Sequence, residues 1–185
     1  YNSLNRLAKT ECSADEVYKI ELLMKQAKVS TDDRKVVSAA LVKANTSGLP
    51  AAAMELNDGR IITGKTSDLL GASAALILNA VKALAGIDDK VHLISPEVIE
   101  PVQTLKTTYL GSHNPRLHTD EILIALSVSA ATNEQAKLAL EQLPLLKNTQ
   151  VHTSVMLSSV DIKTFKRLGV QLSSEPRYES KKIYH

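Results

Sequence analysis

Asn57, Asp58 and Gly59 lie between two short apolar runs, "AAAMEL" and "RIITG", and that arrangement restricts the fold more than any other feature. Glycine accepts the positive φ that a tight turn demands, so the stretch predicts a β-hairpin. Directly after it, "KTSDLLGASAALILNAVKALAG" reads as a long helix, capped by Thr66 or Ser67, with Asp68 at its positive end and Gly86 closing it. Gly71, Ala72, Ser73, Ala74 and Ala75 would let that helix lie close against a sheet. A hairpin feeding such a helix predicts an α/β fold.

The rest of the chain extends this pattern. "KVHLIS" reads as a strand, and Pro96 opens a helix to about residue 110. "DEILIALSVSA" is apolar almost throughout; we read it as a buried strand, with a buried helix as the alternative. "NEQAKLALEQLPLL" reads as helix, "VHTSVML" as strand, "VDIKTFKRLG" as helix and "VQLSS" as strand, before a polar tail. The expected architecture is a mixed sheet of about five strands with helices packed on it. Right-handed crossovers would make its later strands parallel. Residues 1–47 read as a helical pair, with Val17, Ile20, Leu23, Met24 and Ala27 along one face of its first long member. That pair would lead into an α/β domain at residues 48–185. A start at Tyr1, inside a helical pattern, suggests a piece of a longer protein whose N-terminal part is a partner of this one.

"GRIITGKT", residues 59–66, spells the phosphate-cradling pattern G-x-x-x-x-G-K-[ST]. In such a loop the four middle residues curl so that their amides converge on a phosphate. Here they are Arg60, Ile61, Ile62 and Thr63, and adjacent β-branched residues favour a pleated strand. No later strand ends in the aspartate that would help hold magnesium. The hairpin reading wins. A strand passing to a helix start at Gly64, Lys65, Thr66 and Ser67 would still offer amides, a cation and hydroxyls to an anion.

The densest polar stretch is "HNPRLHTDE". His113 and His118 could transfer protons beside Asp120, while Asn114 and Arg116 could hold a carboxylate or phosphate. A capped helix with ordinary loop polarity is the plainer reading. The His-x4-His spacing matches no familiar metal set and H-E-x-x-H is absent, so no metal ligand is assigned. "SSVD", with Ser158, Ser159 and Asp161, follows a strand, where side chains can face a ligand or cap the next helix. His92 and His152 sit among apolar residues and read as satisfied structural histidines. No G-x-S-x-G elbow occurs.

Composition removes other classes. A formal charge of +2, no Trp and one Phe leave neither a basic surface nor a base-stacking platform, so no nucleic acid is expected. No apolar run approaches the roughly 20 residues that a membrane span needs, and no membrane partner is expected. One cysteine, Cys12, permits no internal disulfide and suits a reducing cytoplasm.

Two resemblances add to this reading. The order hairpin, "TG", helix, strand, "SP", helix is similar to cytidine-deaminase-like domains. The matching regions here, "AALILNAVKAL" and "ISPEVIEPVQTL", lack that family's zinc-binding His or Cys and its Glu, so the likeness concerns layout and argues against deamination. More extensively, the stretch from "AAAMELNDGRIITGKT" to "EPVQTLK", with "HNPRLHTDEILIALSVSAATN" and "LALEQLPLLK", resembles the C-terminal part of a bacterial family of unknown function, domain of unknown function 1846, also called uncharacterised protein family 0371. That resemblance implies a cytoplasmic protein more than twice this length, with a glycine-rich, phosphate-loop-like segment in its N-terminal part. The ATP-dependent zinc protease label given to some members finds no H-E-x-x-H here. The family brings no catalytic residues to transfer.

Two functions are therefore expected from the sequence. One is a ligand-binding domain of a cytoplasmic enzyme, taking a phosphate- or carboxylate-bearing small molecule between residues 64–67 and 113–120, with no cofactor assigned. The alternative is a structural or homo-oligomerising domain without chemistry. Proximity of the two segments discriminates between them.

Overall fold

In the computed structural model, which describes residues 1–179, strands β1 (Ala51–Glu55) and β2 (Ile61–Lys65) form the hairpin. They pair antiparallel, from Ala51 opposite Lys65 to Glu55 opposite Ile61. Gly59 supplies the turn with φ +85° and donates to the Leu56 carbonyl at 2.9 Å. Ile61, Ile62 and Thr63 run extended within β2, so this stretch is a strand and not a phosphate-wrapping loop.

Strand β3 (Gln150–Thr153) adds antiparallel to the other side of β1, and β4 (Gln171–Ser174) adds parallel to β3. The order is β2-β1-β3-β4. Because β2 and β3 both oppose β1, the carboxyl ends of β2, β3 and β4 share one edge of the sheet. Four strands form among the described residues, fewer than the five expected.

On one face lie α4 (Ala72–Ala85), α6 (Thr119–Ser129), α7 (Glu134–Leu140) and α8 (Ser159–Arg167). Their buried Leu76, Ile77, Ile122, Leu126, Ala136 and Phe165 close a core on Ala52, Met54 and Val151 of the sheet. On the opposite face α3 (Lys35–Ser47) packs Val36 and Ala40 against Ala53. Helices α1 (Asn2–Ala8) and α2 (Ala14–Gln26) precede it, and α2 buries Val17 alone of its apolar face. Helix α5 (Pro96–Thr104) begins at the expected proline and runs into a π-helical turn at Leu105–Tyr109.

Three expectations are corrected. Residues 90–95 form a loop, so the strand that a deaminase-like layout needs there is absent. Buried Lys82 reaches out from α4 and donates to the Asp89 and Val91 carbonyls at 2.5 and 2.8 Å, which engages acceptors that a ladder would use. The stretch 120–130 is helix α6 and not a strand. It buries Ile122, Ala125, Leu126 and Ser129 at helical spacing and leaves Ile124 64% and Val128 57% exposed. A near-continuous apolar run looks the same in either periodicity.

The third correction moves the start of α4 from Thr66 or Ser67 to Ala72, behind Gly71. The Ser67 hydroxyl accepts from the amides of Leu69 and Leu70, making a local turn of the kind that competes with helix. Residues 69–71 then pair with Leu117: its amide donates to the Leu69 carbonyl at 2.9 Å, and its carbonyl accepts from Gly71 at 3.2 Å.

Candidate functional site

A cavity of about 370 Å³ opens at the sheet edge where β2, β3 and β4 end. Open α/β sheets place ligands outside the carboxyl ends of their strands, and this cavity occupies that position. Val155, Met156 and Leu157, following β3, form an apolar wall with Leu117. The polar side includes Ser73, Arg116, His118, Ser158, Asp161 and the carboxylate of Glu179.

Three helices begin around it: α4 behind Gly71, α6 behind His118 and α8 behind Ser158. Each turns unpaired amides and the positive end of its dipole toward its own start. Two of these starts are supplied by the protein itself. The Ser158 hydroxyl accepts from the Asp161 amide at 3.2 Å, and Asp161 Oδ1 accepts from the Thr119 amide at 3.0 Å.

Asp161 also orients a histidine. Its Oδ2 lies 3.2 Å from His118 Nδ1 and accepts from the Ser158 hydroxyl at 2.8 Å. The hydrogen bond to Asp161 raises the His118 pKa, against the opposing pull of burial. Burial pushes the Asp161 carboxyl up, but the hydrogen bonds from His118 and the Thr119 amide outweigh it and hold the group below its ordinary value. With Nδ1 engaged, His118 Nε2 has no hydrogen-bond partner among the described residues. A carboxylate holding one ring nitrogen while the other is left for chemistry is a recurrent acid–base arrangement.

The loop carrying Arg116 and His118 is pinned from below. Buried Lys106, in the π-helical turn, donates to the Arg116 carbonyl at 2.5 Å and pairs with Glu121 at 2.9 Å. The same Glu121 oxygen accepts from the His118 amide at 2.7 Å. The Arg116 amide donates to Asn114 Oδ1 at 3.1 Å, and its Nε donates to the Ser67 carbonyl at 2.7 Å. Arg116 also faces Glu179 at 3.7 Å.

The two segments singled out in the sequence therefore meet, though not through every residue. Thr66, Asn114, Arg116 and His118 line the cavity. Ser67 stands behind it and holds Arg116. Gly64 and Lys65 belong to β2: Gly64 is buried against α4 and Lys65 is exposed, away from the lining. His113 is exposed in the loop and also lies outside the lining, and Asp120 is exposed with its carboxylate accepting the Glu121 amide. Asp161 and Ser73 were not among the residues expected to form the site. The position of Asp161 after a strand was visible, but its pairing with His118, 43 residues away, depends on tertiary structure. Among the described residues, no group of three or more His, Cys, Asp or Glu side chains could hold a metal ion, and no helix is long and apolar enough to cross a membrane.

Residues 32–184 match the family model described as domain of unknown function DUF1846, C-terminal. The chain is 56% identical over 166 residues to a UPF0371 protein of Corynebacterium glutamicum strain R, covering 90% of this chain and 34% of the relative. A UPF0371 protein of Corynebacterium diphtheriae is 50% identical over 184 residues, covering 100% of this chain and 37% of that protein. One from Streptococcus pyogenes serotype M5 is 47% identical with the same coverage. The chain thus spans about a third of the length of these relatives.

Proposed function

This chain belongs to the DUF1846 family, as its C-terminal domain, and we propose that the domain binds an anionic small molecule, bearing phosphate or carboxylate, in the cavity at the sheet edge. The observation that carries the reading is the convergence of helix starts, Arg116 and the Asp161-oriented His118 on one concave space. The uncapped start of α4 and a largely buried guanidinium favour negative charge there, beside the Glu179 carboxylate that Arg116 already faces. His118 exchanges a proton with the ligand through Nε2, and Asp161 holds the ring and stabilises its protonated form. The apolar wall takes the uncharged part of the molecule. A volume near 370 Å³ suits a small metabolite. In the longer relatives, the remaining two-thirds of the chain would supply whatever else a reaction requires.

Calorimetric titration of the chain with inorganic phosphate, sugar phosphates, nucleotides and dicarboxylates tests the reading. At least one class should bind, Arg116→Ala and His118→Gln should each weaken it by roughly tenfold or more, and Lys65→Ala should leave it unchanged. Failure of every class to bind, or binding indifferent to Arg116 and His118, would remove the proposal.

A further inference from the structure

Of the three helix starts around the cavity, that of α4 is unlike the others. Asp161 and Ser158 occupy the first turns of α6 and α8, whereas Gly71 offers α4 no side chain, and no side-chain cap is present. The first backbone bond of the helix runs from Ala75 to the Gly71 carbonyl. The amides of Ala72, Ser73 and Ala74 therefore have no acceptor among the described residues, and all three residues line the cavity. They are also 8%, 3% and 1% exposed, so bulk water does not readily satisfy them. An independent feature points the same way. Ser73 is buried, lines the same cavity, and its hydroxyl has no hydrogen-bond partner among the described residues. A buried polar group without a partner in a native fold calls for an explanation, and an acceptor on a ligand seated in the cavity is one.

We infer that the anion is the terminal phosphate of a phosphate monoester, seated on the open start of α4 with the Ser73 hydroxyl among its donors. This rests on the cavity being the ligand site and adds the ligand's class. The argument is one of counting. Three amides, one hydroxyl and protonated His118 are more donors than the two oxygens of a carboxylate readily engage, before the Arg116 guanidinium, already held by Ser67 and Glu179, is counted. A phosphate monoester presents three terminal oxygens and carries close to two negative charges near neutral pH. Helix starts with exposed amides are a recurrent seat for such groups. His118 lies on the same cavity, where it can donate to a phosphate or bridging oxygen.

Amide-resolved NMR of the chain, titrated separately with inorganic phosphate, methyl phosphate and acetate, tests this. Both phosphates should shift the amides of Ala72, Ser73 and Ala74 and saturate. Methyl phosphate should bind at least as tightly as inorganic phosphate, and acetate roughly tenfold more weakly. Ser73→Ala, with retained spectral dispersion to show that it folds, should weaken phosphate by roughly tenfold. Acetate binding as well as phosphate, inorganic phosphate binding more tightly than the monoester, or indifference to Ser73→Ala would each overturn the inference. Shifts at Arg116 and His118 without any at residues 72–74 would overturn it while leaving the anion-binding cavity in place. Silence throughout the cavity with all three anions would sink both.

Discussion

Asp161 sets the charge state of His118. Its carboxylate accepts from the Thr119 amide and the Ser158 hydroxyl and is therefore fixed before it meets the imidazole. Lys106 opposes protonation of His118 and Glu121 favours it, but the Asp161 hydrogen bond is the largest influence and the histidine's pKa is raised. Asp161→Asn keeps a side chain of the same shape and removes the charge. The His118 titration midpoint, followed by NMR of the ring, should then fall below that of the parent chain; a midpoint that stays in place would show that Asp161 does not set it. The stability consequence has a definite sign. A histidine raised in the folded state adds stability that is fully present below its unfolded pKa of about 6.5 and is lost as pH rises through the folded value.

The hairpin and α4 depend on one missing side chain. A Cβ on Gly64 would lie 2.4 Å from the Leu76 amide nitrogen and 2.8 Å from the Ala72 carbonyl oxygen. Both are helix backbone, so relief requires the helix to move off the sheet. Gly64→Ala should cost about 1–3 kcal/mol or more in urea unfolding, and the displaced α4 start should weaken anion binding as well. An unfolding midpoint equal to the parent's would exclude that close approach. The same residue shows what was legible in the chain. The turn at Gly59, the strand at Ile61 and Ile62 and the proline start of α5 follow from local preferences, and each could be read directly. Gly64 was read as part of an anion site because its real role, clearance for Leu76, involves a partner on another element. The preference for strand over the alternative helix at α6, and the strand expected at 90–95, failed for a related reason. An all-apolar run fits either periodicity, and Lys82 reaching past the end of its own helix to the Asp89 and Val91 carbonyls leaves no trace in the hydrophobic pattern. Of the cavity, the polar loop and the residues after β2 were visible, whereas the joining of His118 to Asp161 was not.

At the scale of the molecule, the half-buried His118 and the fully buried His152 make stability depend on pH in opposite directions. His152, on β3, is fully buried beneath the Tyr1 ring, whose centroid is 4.7 Å away. Its Nδ1 lies 2.9 Å from the Ser173 hydroxyl and its Nε2 lies 3.1 Å from Glu175, while Arg34 donates to the same serine. Burial lowers its pKa more than Glu175 raises it, and Arg34 adds to the lowering. A histidine depressed in the folded state adds stability that is present above its unfolded value of about 6.5 and is lost as pH falls below it. His118 gives up its share on the other side, as pH rises. Together they predict a stability maximum near pH 6.5, measurable as urea-unfolding free energies from pH 5 to 9. His152→Leu should cost about 1–3 kcal/mol at pH 7.5 by removing its bonds to Ser173 and Glu175, and it should flatten the acid limb alone. Asp161→Asn should flatten the alkaline limb alone. If both substitutions leave the curve's shape unchanged, neither histidine governs it, and the assignment of a neutral His152 beside a readily protonated His118 is wrong.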